Sequence, residues 1–200
     1  NTLEYCIMVD VVQHKLFPTI VSEFEYNMGS DEHGVVLKEL RSSETKVILQ
    51  TQDDLHKKLP SFKRKVFEVT EKICRESKYR YDTLEITGMW ANMLKKGDSH
   101  PPHTHSNNVF SGVYYLEDGA PIQFFDPRPQ ASVLHPNLEY TTFDNSSMVQ
   151  FNSQKGMGLI FPSWLQHWVP PTEKDRISIS WNIILRGDYG QPHTLQNSHI

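Results

Sequence analysis

Three histidines fall within six positions of this 200-residue chain, His100-Pro101-Pro102-His103-Thr104-His105, just after a turn at Gly97. In an extended segment, side chains two apart share a side, so His103 and His105 aim both imidazoles at one point while Thr104 faces away. Such a pair is half a chelate for a metal ion. A third imidazole, His167, stands in GLIFPSWLQHWVPP, where an apolar run ends in a proline-rich turn. Three ligands on one face of a metal leave coordination positions open for reactants, whereas a structural zinc asks for a fourth protein ligand. His100 is close enough in sequence to stand in for either member of the pair.

Nine residues after His167 the chain reads Arg176-Ile177-Ser178-Ile179-Ser180-Trp181-Asn182, a strict polar and apolar alternation. Arg176, Ser178, Ser180 and Asn182 therefore share one face of a strand. If Ile177, Ile179 and Trp181 pack against an outer layer, the polar face lines a β-barrel interior, where a buried arginine is costly without an anion beside it. A dicarboxylate cosubstrate is such an anion. The guanidinium grips a carboxylate through two parallel hydrogen bonds, and Ser178 adds a third donor. Taken alone the segment reads as an exposed amphipathic strand; its offset from His167 argues for the interior.

The elements that must position these residues are mostly strands. From Leu84 onward, LEITGMWANML, VFSGVYYL, IQFFD, MVQF, MGLIF and RISISWNIIL follow one another, each bounded by Gly, Pro, Asn or Asp. The expected fold is mainly β, a double-stranded β-helix (jelly roll, cupin-like), with one or more supporting helices from the N-terminal half. Upstream, LFPTIVSEFEY and KVILQT read as strands or extended arms, separated by the turn-prone NMGSDEHG and RSSET. The clearest helix has Ser61 as its cap and Phe62, Val66, Val69 and Ile73 on one buried face. The expected organisation is one domain over 1–200: N-terminal strands and helix in 1–83, a jelly-roll catalytic core in 84–186, and a tail in 187–200.

A formal charge of -4, with 38% apolar and 22% charged residues, describes an ordinary globular protein and argues against nucleic acid as the main partner. The basic run HKKLPSFKRK, His56 to Lys65, reads as the solvated face of a helix. Cys6 and Cys74 lack the spacing of a disulfide framework or a zinc-thiolate site, which points to the cytoplasm. No window is apolar enough for a membrane span, the start NTLEYCIMVDVV lacks a leader pattern, and the absence of an initial Met suggests a trimmed chain. Exposed β-arms near the N-terminus would suit a homodimer.

The combination PHTH, SGVYYL, FPSWLQH and RISISWN, with an arginine nine residues after the last histidine, resembles the 2-oxoglutarate and Fe(II)-dependent oxygenase superfamily. Prolyl hydroxylase-like members, and more narrowly a group of uncharacterised bacterial and phage oxygenases, are the comparison. The resemblance covers roughly Thr87 to Leu185. It implies Fe(II) held by His103 and His167 with His105 where the superfamily usually has Asp or Glu, and 2-oxoglutarate and O2 as cosubstrates. It further implies Arg176 and Tyr115 on the distal carboxylate of 2-oxoglutarate, with Ser178 and Asn92 as further cosubstrate contacts. The activity implied is oxidative decarboxylation of 2-oxoglutarate to succinate coupled to hydroxylation of a C–H bond. The prime substrate, a protein side chain, a nucleotide or a metabolite, is set by loops such as Asp126 to Ser147.

The same residues support two other readings. Gly97 stands six positions before His103, and Gly156 six before Pro162, as in cupin motifs, although Asn108 or Val109 occupies the place of the cupin glutamate. A cupin-type dioxygenase or isomerase would use no 2-oxoglutarate, and Arg176 would bind an acidic substrate. A non-enzymatic binding module would instead carry a closed zinc site. Asp126 and Arg128 in FFDPRP read as a turn leaving an apolar strand, and Trp164 and Trp168, which flank His167, read as core. Asp98 is the nearest carboxylate to the histidine pair, but lies upstream of it.

Overall fold

The structure, a computed structural model, describes residues 11–43, 49–128 and 133–200. Cys6, most of NTLEYCIMVDVV, the end of RSSET, the start of KVILQT and Pro129 lie outside the described residues. In chain order the elements are β1 (Ser22–Glu25), α1 (Ser30–Arg41), β2 (Leu49–Gln50), a 3-10 turn (Leu55–Lys57), α2 (Pro60–Glu76), β3 (Thr83–Leu94), β4 (His100–His103), β5 (Phe110–Tyr115), β6 (Gly119–Phe125), β7 (Met148–Ser153), β8 (Met157–Pro162), β9 (His167–Val169), β10 (Arg176–Arg186), β11 (Asp188–Tyr189) and β12 (Ser198–His199). With 36% strand and 18% helix, the chain is mainly β, as expected. Among the described residues, no helix is long and apolar enough to cross a membrane.

A six-stranded sheet of order β1-β8-β5-β10-β3-β2 faces a four-stranded sheet of order β4-β9-β6-β7, and their pairings are antiparallel. This is the double-stranded β-helix. β10 occupies its centre, hydrogen-bonded to β3 along its whole length and to β5 from Ser178 to Ile183. The alternation of RISISWN therefore acts in a strand with neighbours on both sides. Ile177, Ile179, Trp181, Ile183 and Leu185 turn outward into the core that α1 and α2 cover. Phe62 of α2 meets the Trp181 ring edge-on at 5.5 Å. Gly112 on β5 makes this possible, since a Cβ there would lie 2.3 Å from the Trp181 indole. The opposite face looks between the sheets, where Val113, Tyr115, Ile122, Phe124, Leu159, Phe161 and Leu165 form a second core.

Two expectations for the N-terminal half need correction. The turn-prone NMGSDEHG opens a helix: α1 buries Val36 and Leu40, one turn apart, with Asp31 and Glu32 in its first turn and Lys38 and Arg41 in its last, matching the helix dipole. Gly34 and the short apolar stripe had masked it. Ser61 is not the cap of α2. Pro60 starts that helix, and its open amides are met from α1, where the Glu32 carboxylate accepts from Ser61 N (2.7 Å) and Phe62 N (3.2 Å). The buried stripe of α2 is Phe62, Val66, Thr70, Ile73 and Cys74, with Val69 half-buried at its edge.

Candidate active site

Register brings the histidines together. β4 and β9 pair so that His103 stands opposite His167, and β9 in turn pairs with β6, setting Phe124 beside His167. Cross-strand neighbours lie within side-chain contact, so two imidazoles 64 positions apart in sequence become adjacent. His105 lies just beyond β4, where its amide donates to Ser163 O at 2.9 Å and ties the β4–β5 loop to the turn before β9. One ring nitrogen from each of His103, His105 and His167 lies within 4.8 Å of the others. The rings of His105 and His167 stack, 5.3 Å apart and 14° from parallel.

Hydrogen bonding selects the tautomers. The Nδ1 atoms of His103 and His167 lie 2.8 Å from the carbonyls of Pro101 and Leu165, which can only accept, so Nδ1 carries the proton and Nε2 keeps its lone pair. His167 is 4% exposed, walled by Phe161 and Phe124. Burial pulls its pKa from 6.5 down to about 3, the other histidines adding to the push, and burial likewise takes His105 to about 4. Neutral rings are the form that binds a metal. Asp98 takes no part: its carboxylate accepts from Lys95 N, holding the turn before β4. His100 lines the same cavity but stands outside the ligand group.

These shifts set a pH dependence. In the unfolded chain the same histidines titrate near 6.5, so on acidification the unfolded state takes up protons first. The stability held by the neutral rings is complete above about pH 6.5 and drains away as the pH falls toward 4. Urea unfolding of the metal-free protein is expected to lose roughly a few kcal/mol between pH 7 and pH 4, and His167→Phe is expected to flatten that slope. A wild-type midpoint independent of pH would contradict the burial argument.

The anion end of the cavity is built on β10 and its neighbours. Ser178 pairs with Asn92 of β3 on one side and Tyr115 of β5 on the other, so three of the sequence candidates form one row across the sheet, with Arg176 two residues along. Arg176 is 3% exposed. Its Nη1 donates to Ser178 Oγ at 3.0 Å and its guanidinium lies 5.0 Å from the centre of the Tyr115 ring. Among the described residues no carboxylate pairs with it, and both Arg176 Nε and the fully buried Tyr115 hydroxyl lack a hydrogen-bond partner. Burial raises the Tyr115 phenol to about 12, the arginine charge only partly opposing this, so the hydroxyl remains a donor. Asn92 donates to Ser180 Oγ at 3.3 Å and borders the cavity.

Orphaned donors around a buried cation are what a carboxylate would satisfy, since such a cation without an anion costs several kcal/mol. The residues therefore fit a dicarboxylate at Arg176 and, in three convergent imidazoles, a divalent metal nearby.

Gly119 supports this end and was not among the sequence candidates. A Cβ at Gly119 would lie 2.7 Å from Arg176 Cβ and 2.9 Å from its Cγ. Gly119→Ala is expected to push the arginine stem aside, cost about 1–3 kcal/mol of stability and weaken anion binding. Thermal melts with and without 2-oxoglutarate check this, and an unaltered ligand-induced shift would refute it.

Trp90, also missed, lines the cavity 6.1 Å from His105. By contrast, Trp164 is 57% exposed, which corrects its assignment to the core. Trp168, between inward-facing His167 and Val169, turns away from the cavity and donates to Gln123 Oε1 at 2.7 Å. Asp126 and Arg128 grip each other through two hydrogen bonds of 2.9 Å and do not line the cavity of His103, His105 and His167.

Residues 88–182 match the 2OG-Fe(II) oxygenase family model, a span that holds every candidate ligand and cosubstrate contact. No curated protein matches the sequence. Solved structures share the fold at low identity. A Pseudomonas putida prolyl-4-hydroxylase superposes with a TM-score of 0.56 at 13% identity, over 84% of this chain and 94% of that one. HygX from Streptomyces hygroscopicus, solved with nickel and 2-oxoglutarate bound, gives 0.53 at 13%, over 84% and 82%. A viral collagen prolyl hydroxylase from Paramecium Bursaria Chlorella virus-1 gives 0.52 at 12%, over 82% and 94%. Over residues 88–182, the span that carries its three histidines and its buried arginine, the chain is similar to the 2-oxoglutarate and Fe(II)-dependent oxygenases.

Proposed function

We propose that this protein is a hydroxylase-type dioxygenase in which His103, His105 and His167 hold Fe(II) while Arg176, Tyr115, Ser178 and Asn92 hold 2-oxoglutarate. One observation carries the reading: three convergent imidazoles share a cavity with a buried guanidinium that has no anionic partner among the described residues. When bound, the iron, 2-oxoglutarate and dioxygen supply the oxidising power that places an oxygen atom in a C–H bond.

The protein's own residues bind and orient. Arg176 offers a charge-assisted grip on the distal carboxylate. Ser178 accepts from Arg176, which leaves its own O–H free to donate, and Tyr115 contributes a phenol that burial keeps protonated. Phe161 and Phe124 exclude water beside His167, which keeps that ring neutral for the metal.

The test is anaerobic titration of the Fe(II)-loaded protein with 2-oxoglutarate, followed by the visible charge-transfer band that forms when the keto-acid end chelates iron. A saturable band is the expected result. Iron binding without a band would favour the cupin-type reading, and absence of iron binding would overturn the metal site.

Two further assignments belong to this proposal. The cytoplasm suits Cys74, a buried free thiol whose pKa burial pushes to about 11. A homodimer suits the extended segment around Val11, Val12, Leu16 and Phe17, whose apolar side chains stand exposed. Sedimentation is expected to show a dimer that deletion of residues 11–20 dissociates; a monomeric wild type would refute the dimer.

A further inference from the structure

In a regular strand, residues three apart face opposite sides. β4 is not regular: its pairing with β9 sets His100 opposite Val169 and His103 opposite His167, so two residues intervene on β4 and one on β9. This is a bulge, and its extra positions are Pro101 and Pro102, residues without an N–H to lose from the ladder. The consequence is that His100 as well as His103 turns toward the interior. Their rings meet edge-on, 4.4 Å apart at 88°, and His100 lines the cavity together with Arg176 and Ser178.

This fourth imidazole has no duty in the site as described above. It lies outside the group of converging ligand atoms. Unlike His103 and His167, whose Nδ1 protons go to backbone carbonyls, it makes no ring hydrogen bond among the described residues. An imidazole always carries at least one ring N–H, so His100 brings an uncommitted donor into the cavity.

A carboxylate that chelates a metal through one oxygen leaves its second oxygen needing a donor inside a largely buried cavity. Arg176, Ser178 and Tyr115 serve the other carboxylate, and of the two N–H groups of the Asn92 amide one is taken by Ser180.

We infer that His100 is a positioning residue for the cosubstrate, its ring N–H donating to the carboxylate at the metal-chelating end of 2-oxoglutarate. The inference rests on the oxygenase reading proposed above. It explains why the bulge sits between two histidines: a third ligand needs only the His103-x-His105 spacing, whereas a donor beside the metal needs His100 turned inward.

The experiment compares wild type, His100→Phe and His100→Gln, each loaded anaerobically with Fe(II). It reads three quantities: iron affinity by competition with a chelator, 2-oxoglutarate affinity from the visible band, and the position of that band. His100→Phe, which keeps a packed ring, is expected to retain wild-type iron affinity, bind 2-oxoglutarate about tenfold more weakly, and shift the band. His100→Gln, which restores a donor, is expected to recover most of the affinity. Wild-type titration curves in both variants would overturn the inference while leaving the oxygenase reading intact. Parallel loss of iron affinity in both would overturn it by making His100 part of the metal site. If the wild type itself gives no band, the oxygenase reading fails and this inference falls with it.

Discussion

Replacing Arg176 with methionine is expected to make the ligand-free protein more stable and to abolish the further stabilisation that 2-oxoglutarate gives the wild type. The two effects have one cause. Arg176 is 3% exposed, its partners are the neutral Ser178 hydroxyl and the Tyr115 ring, and no described carboxylate offsets its charge. Attraction to the ring recovers about 2 kcal/mol at most, against a desolvation cost of several. Methionine fills similar space without that cost, so the ligand-free variant should gain roughly 1–3 kcal/mol, several degrees in Tm. With 2-oxoglutarate the order reverses. A buried charge-assisted pair is worth about 2–5 kcal/mol when one partner is removed, so the variant should bind at least about thirtyfold more weakly. Thermal melts of the metal-loaded proteins across a 2-oxoglutarate series measure both. A variant that is less stable without ligand, yet shifted by ligand as far as wild type, would assign Arg176 to structure.

His105 is expected to separate metal binding from cosubstrate binding. His105→Ala removes one of three converging nitrogens and should weaken Fe(II) binding by about a hundredfold or more. His105→Asp keeps a ligand but changes the charge. Three imidazoles leave both positive charges of Fe(II) to meet the dianion of 2-oxoglutarate, whereas an aspartate cancels one of them beforehand. That variant should therefore hold iron and bind 2-oxoglutarate roughly tenfold more weakly, the loss growing smaller as salt is added. Chelator competition reads the first effect and the visible band the second. Wild-type iron affinity in His105→Ala would remove His105 from the ligand set, and tighter 2-oxoglutarate binding in His105→Asp would reject the charge argument.

Charge also explains why a site with no carboxylate ligand need not be a closed zinc site. The nearest sequence candidate for an acid, Asp98, is engaged in the turn before β4, and no acidic residue joins the three histidines among the described residues. The anionic component of the centre would arrive with the cosubstrate. This places more of the binding energy on groups such as Arg176 and His100, whose substitution is expected to alter cosubstrate affinity without removing a metal ligand.

What was legible in the sequence was local. A strand repeats every two residues, so His103-x-His105 and Arg176-x-Ser178-x-Ser180 declared shared faces before any partner was known, and the apolar phase Ile177, Ile179, Trp181 declared which face was outside. The strand runs from Leu84 onward named the fold class for the same reason. What sequence spacing could not reveal depended on register and on contacts between distant segments. Examples are His103 opposite His167, Ser178 held between Asn92 and Tyr115, the Pro101-Pro102 bulge that turns His100 inward, Gly119 yielding space to Arg176, and Glu32 rather than Ser61 meeting the amides of α2. Residue types and their period decide which side of a strand a side chain takes. Which strand lies opposite, and in which register, follows from packing two sheets and two helices around shared cores, and that packing turned a list of histidines and an arginine into one cavity.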